Sequence, residues 1–154
     1  MRRCSGVLAF ALMLAVFVPV SAAERPTFEP IAVEPFTLTG FCDFDVRVSP
    51  LQAELVLKVF TDRNGEVVKE VWTGVVKVRF TNLSTGKSVD ANISGPNQIR
   101  VVGDTVTDVA VGPWLIGSGS AGTIFVTKGR YVFGSGPVLA NLRGTTVDIC
   151  AALA

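Results

Sequence analysis

An all-β domain, built as an antiparallel up-and-down barrel of about eight to nine strands, is what this sequence predicts, with a β-sandwich as the alternative. Three observations carry the prediction. Apolar residues recur at every second position through much of the chain, which turns one face of an extended strand inward and the other to water. Glycine, proline and asparagine cut these runs at intervals of roughly 8 to 12 residues, the spacing of sandwiches and barrels. No segment shows a helical stripe with caps. At 154 residues the chain is long enough for one modest domain.

Much of the excess behind the 49% hydrophobic content sits at the start. Arg2 and Arg3 precede an uncharged run from Val7 to Val18, followed by Pro19, Ser21, Ala22 and Ala23. A basic start, an apolar middle and small residues at the end predict a secretory signal over residues 1–23, cleaved after Ala22 or Ala23. The run is shorter than the roughly 20 residues that span a hydrocarbon core, so a retained anchor is not expected. Cys4 lies before the apolar run, on the wrong side for lipid attachment, and two arginines alone do not establish a twin-arginine signal. From Glu24 to Pro35, three prolines and three glutamates predict a polar arm, not a helix.

The β domain is expected over residues 36–154. In Phe41–Val48 the even positions Cys42, Phe44, Val46 and Val48 are apolar against Asp43, Asp45 and Arg47, placing Cys42 on the core side. Ala53–Phe60 is the next strand, ending at Asp62-Arg63-Asn64-Gly65, where Asn-Gly predicts a two-residue hairpin with positive φ at both residues. Glu66–Thr73 returns antiparallel. Val75–Thr81 alternates again, with Val76, Val78 and Phe80 inward. After a turn at Asn82–Gly86, Lys87–Ser94 turns Val89, Ala91 and Ile93 inward.

Gly95-Pro96-Asn97 breaks the pattern, since proline donates nothing to a central ladder. Gln98–Val102 and Thr105–Val111 form strands around Gly103-Asp104. Gly117–Gly122 is a loop of small residues that follows Pro113-Trp114-Leu115-Ile116. Thr123–Phe133 is a strand kinked at Gly129, Gly134–Pro137 ends it, and Thr145–Cys150 is the last strand.

Without the signal, Cys42 and Cys150 remain, and in an oxidising compartment an even pair predicts a disulfide. The bond closes a loop of 108 residues and brings the start and end of the domain within about 7 Å at Cα. A barrel whose first and last strands pair would do this directly.

Chemistry is narrowed by what is missing. The chain has no histidine, which removes Ser-His-Asp and Cys-His catalysis and leaves no ligand set for zinc. No nucleophile elbow, phosphate loop or dinucleotide fingerprint occurs, and no cofactor is expected. What remains for an enzyme is carboxylate chemistry: Asp43 and Asp45 lie two apart on one strand face, close enough to share a cation or act as a pair, but on the face expected to be wet. Asp62, Asn64 and Glu66 resemble half a calcium loop, but the glycine offset is wrong and the distal glutamate is missing, so a hairpin turn is expected there and no metal. Asn82-Leu83-Ser84 and Asn92-Ile93-Ser94 match glycosylation acceptors. Less Arg2 and Arg3, the 14 basic side chains balance the 13 acidic ones to within one charge. Such a surface has no footprint for nucleic acid or for an anionic membrane.

Phe41-Cys42-Asp43-Phe44-Asp45-Val46, then Val78-Arg79-Phe80-Thr81-Asn82 with Thr85-Gly86-Lys87-Ser88, and finally Val147-Asp148-Ile149-Cys150-Ala151-Ala152-Leu153 resemble, in this order, small secreted proteins of actinobacteria, a family of unknown function. The resemblance implies export, a cysteine near each end of an all-β domain, and no assigned active residue. Many such proteins carry glycine after the first cysteine. Asp43 stands there in this chain.

The functional expectation is an exported domain, secreted or associated with the cell envelope, that binds a small apolar molecule without catalysing a reaction. Trp72, Phe80, Trp114 and Tyr131 are the candidate pocket residues, because aromatic rings offer large apolar area. An interaction or structural module of the envelope is the second expectation and a carboxylate hydrolase the third. No stable membrane insertion is expected once the signal is removed.

Overall fold

The computed structural model describes residues 25–118, 122–134 and 138–154. The signal over residues 1–23, positions 119–121 of the small-residue loop and positions 135–137 of the following break lie outside them. The described chain is all-β, as predicted: one antiparallel sheet of ten strands and a short terminal helix. The strands are β1 (Thr27–Ile31), β2 (Phe36–Leu38), β3 (Val46–Thr61), β4 (Val67–Asn82), β5 (Ser88–Asn92) and β6 (Asn97–Val102). They continue with β7 (Thr105–Gly112), β8 (Leu115–Ser118), β9 (Thr123–Phe133) and β10 (Leu142–Asp148); a 3-10 turn at Val138–Asn141 precedes β10 and the helix α1 (Ile149–Leu153) follows it.

Three long strands organise the sheet, and short strands lie end to end along them. β1 and β2 share one edge of β3, β5 and β6 share one edge of β4, and β7 and β8 share one edge of β9. The ladder runs β1-β3-β4-β6-β7-β9-β10. β1 and β10 stand at its two ends, so the first-on-last pairing expected of a closed barrel is not made.

Two long strands replace four expected short ones. Phe41–Phe44 forms bends, and β3 starts only at Val46 and runs through to Thr61. Pro50 has no amide to donate, and the pairing answers with a bulge: the register jumps from Pro50–Val78 to Gln52–Lys77, leaving Leu51 half exposed. Gly74 lets β4 continue where two strands were expected. Its φ is +146°, and a Cβ there would lie 1.9 Å from the Glu54 carbonyl oxygen. The arm supplies edge strand β1, in which Pro30 is tolerated because an edge has one unpaired side.

The hairpin between β3 and β4 falls where predicted but has another form. Only Gly65 has positive φ, Asn64 does not. The Gly65 amide donates to the Asp62 carbonyl at 3.1 Å and the Asp62 amide to the Glu66 carbonyl at 2.8 Å, the three-residue hairpin with glycine in the bulge. The Asp62 carboxylate accepts the amides of Asn64 and Glu66 at 2.8 and 2.9 Å, which fixes the turn. Between β6 and β7, Gly103 has φ +55° and stands first in a two-residue turn, as a type II′ hairpin requires.

The main core gathers the inward faces that the alternation predicted. Val46, Val48, Val76, Val78 and Phe80 from β3 and β4 pack on Ile124 and Val126 of β9 and on Ile149 and Leu153 of α1. Val89, Ala91 and Ile93 cover this cluster from the β5 side, as expected. The last strand expected up to Cys150 instead ends at Asp148, which caps α1 by accepting the Ala151 amide at 2.9 Å. Cys42 and Cys150 form the predicted disulfide with Cα atoms 5.5 Å apart. It ties the bends before β3 to α1 instead of tying two paired strands.

Candidate functional site

The sheet divides at two Gly-Pro dipeptides. Gly95-Pro96 separates β5 from β6 and Gly112-Pro113 separates β7 from β8. On one side of them β6 pairs with β7, and on the other side β5 and β8 are not paired. The dipeptides lie against each other: the Gly95 amide donates to the Pro113 carbonyl at 2.6 Å and the Val111 amide to the Pro96 carbonyl at 2.9 Å. Proline supplies no amide for the next rung, so the ladder stops there.

Two hydroxyls satisfy backbone groups beside the break. The Ser94 hydroxyl accepts the Val76 amide at 2.8 Å and donates to the Val76 carbonyl at 3.2 Å, standing in for a strand neighbour. The buried Thr127 hydroxyl accepts the Trp114 amide at 3.2 Å and has the Gly112 and Trp114 carbonyls at 3.3 Å as acceptors. Each removes the penalty of a backbone group buried without a partner.

Five glycines cross the sheet at this level. Gly112 pairs with Gly129, which pairs with Gly144. A Cβ added at Gly112 would come within 3.7 Å of the Gly95 Cα, and Gly74 lies two residues beyond the Trp72–Asn97 pair, level with Gly95. At Gly129 and Gly144 φ is +149°, and an added Cβ would meet a carbonyl oxygen of the other strand at 2.2 and 2.1 Å. Gly129, where a kink was expected, is one member of a row, and β9 pairs with β10 through it without a register shift.

Where the sheet divides, a cavity of about 270 Å³ opens among Val33, Leu55, Val76, Ile93, Trp114 and Leu115. All six lining side chains are apolar. A larger slot of about 570 Å³ runs beside β5, bounded by Pro113, by Val126 and Lys128 of β9, by Val147 of β10 and by Ile149 and Ala152 of α1.

The four aromatic residues singled out in the sequence do not converge. Phe80 is fully buried in the main core. Tyr131 packs in a second core with Ala110 and Ile116, edge-on to Phe133 with ring centroids 4.7 Å apart. Trp72 is half-buried on β4 between Leu57 and Asn97. Trp114 alone of the four lines the 270 Å³ cavity. The other five lining residues are aliphatic: alternation marked Leu55, Val76 and Ile93 only as strand residues of an apolar face, while Val33 fell in the expected polar arm and Leu115 outside any expected strand. The repeated Gly-Pro was the available signal.

Asp43 and Asp45 are exposed on the bends before β3, and the Asp45 carbonyl accepts the Leu83 amide at 2.9 Å. The two glycosylation motifs differ in access. Asn82 is 2% exposed; its side chain accepts the amides of Ser84 and Thr85 and donates to the Leu153 carbonyl at 3.1 Å. Asn92 is exposed at the end of β5. The charged pair nearest the slot is Arg79 with Asp90, 2.7 Å apart on the outer face. The hydrogen bond between them, reinforced by charge attraction, raises the Arg79 pKa; the bond from Arg79 lowers that of the Asp90 carboxyl.

No helix among the described residues is long and apolar enough to cross a membrane. Neither family models, nor curated proteins, nor solved structures give a match to this chain.

Proposed function

We propose that the protein is an exported, non-enzymatic binder of a small apolar molecule, held where the sheet divides. The observation that carries this reading is the 270 Å³ cavity with six apolar side chains around Trp114. Apolar cavities of about 150 Å³ already take a single aromatic ring, and pockets for drug-sized ligands begin near 300 Å³. The occupant is accordingly a one-ring or short branched aliphatic compound. The disulfide and the expected signal support an oxidising, extracytoplasmic setting.

The test is titration of the full mature protein with a neutral one-ring dye, 4-nitroanisole, whose near-ultraviolet absorption quenches a neighbouring indole, in a Trp72→Phe background that leaves Trp114 as the reporter. Saturable quenching of Trp114 is expected, and Ile93→Phe, which fills the cavity, should weaken binding at least tenfold. Native mass spectrometry of protein purified from its own host should then show an apolar adduct. Dye binding that Ile93→Phe leaves unchanged would refute the cavity as the site.

A further inference from the structure

β5 is an edge with a prepared floor beside it, and we infer that it receives an extended peptide as an added strand, with an acidic side chain of that peptide set against Lys128. The backbone gives the first argument. The Asn82 amide bonds the Lys87 carbonyl and the Ile93 amide bonds the Val76 carbonyl, so residues 87, 89, 91 and 93 turn their backbone groups to β4. In an antiparallel pair the intervening residues face the other way. Ser88, Asp90 and Asn92 therefore point N–H and C=O groups at the free edge.

The slot supplies the second argument. A strand laid on that edge would send alternate side chains over Val126, Val147, Ile149 and Ala152, within a volume of about 570 Å³. Main-chain bonds then give affinity and the alternate side chains give selectivity, as in other strand-addition complexes. β1, at the start of the ladder, lacks this readiness because Pro30 removes a donor from it.

Charge selects the occupant. Asp90 is engaged by Arg79, whereas Lys128 has no acidic partner among the described residues. A second copy of this chain is disfavoured: antiparallel pairing of β5 with itself about its central residue sets Asp90 against Asp90, and directly opposed like charges destabilise a sheet. A hydrocarbon chain would use the floor but none of the exposed amides. A foreign segment with apolar residues at alternate positions and one carboxylate uses all three features.

The probe is the capped hexapeptide Thr-Val-Thr-Val-Thr-Glu and its reversed order, titrated into the full mature protein and followed by amide NMR. Expected are saturable shifts and slowed hydrogen exchange at Ser88, Asp90 and Asn92. N-methylation of alternate peptide amides should abolish binding in one phase and spare it in the other. Lys128→Glu should weaken the Glu peptide at least tenfold and favour a Lys-for-Glu peptide by a similar factor; if that variant misfolds, the same peptide exchange on the wild type gives the charge test. No saturable binding of either order, equal tolerance of methylation in both phases, or stronger response to laurate than to the peptide would overturn the proposal. The Trp114 dye titration is read separately, so either site can fail without the other.

Discussion

Asn82 has one of the most demanding positions in the molecule. Its carbonyl oxygen holds two turn amides and its amide nitrogen holds the Leu153 carbonyl of α1, all within a residue that is 2% exposed. Replacing it with alanine leaves the carbonyl of buried Leu153 without its partner, a penalty of roughly 1–3 kcal/mol, and releases two amides of an exposed turn. Asn82→Ala should lower the unfolding free energy by about 2–3 kcal/mol in urea denaturation. Asp90 makes the opposite case, an exposed carboxylate whose pKa Arg79 lowers. A carboxyl with a folded pKa below its unfolded value of about 3.9 stabilises the fold above that value and loses the effect as pH falls through the folded one. The Tm difference between wild type and Asp90→Asn should accordingly be largest near neutrality and shrink to nothing in strong acid. A constant difference down to pH 2 would contradict the assignment.

At the scale of elements, glycines with positive φ separate into two kinds. Gly65 sits at a hairpin tip with open space where a Cβ would go, whereas Gly129 and Gly144 face a carbonyl oxygen at 2.2 and 2.1 Å. Gly65→Ala should cost about 1–2 kcal/mol from backbone strain alone. Gly129→Ala and Gly144→Ala add a backbone collision and should each cost at least about 3 kcal/mol, measurable as a loss of Tm. Alternation made the inward faces of Val46 to Val48, Val76 to Phe80 and Val89 to Ile93 readable from sequence, because period two is set by the strand itself. The joining of strands was not readable. Pro50 and Gly74 look like breaks in isolation, and only the partner strand shows that one makes a bulge and the other a close approach. The pocket was read by residue type, which pointed to aromatic rings, while its walls apart from Trp114 are ordinary aliphatic residues brought together by the Gly-Pro breaks. The capped helix after Asp148 was hidden because five residues are too few to show a stripe.

For the whole molecule, the Cys42–Cys150 bond is the long-range constraint. It spans 108 residues of sequence and joins the bends before β3 to α1, which itself covers the main core through Ile149 and Leu153. On chain-entropy grounds a loop of about 100 residues is worth up to about 4.7 kcal/mol. A Cys42→Ser, Cys150→Ser double variant should lose about 2–5 kcal/mol of unfolding free energy. Reductant should bring the wild type to the same level while leaving the double variant unchanged.

The row of five glycines reaches beyond the stability of any one of them. Since no side chain larger than hydrogen fits at Gly74, Gly95, Gly129 or Gly144, those sites withhold a contact from every neighbour they have. A saturation mutagenesis map of the domain should therefore show an intolerant band running across the strands, with permissive positions on either side. Evolutionary drift could rewrite the outer surface almost freely and still be unable to step over that line.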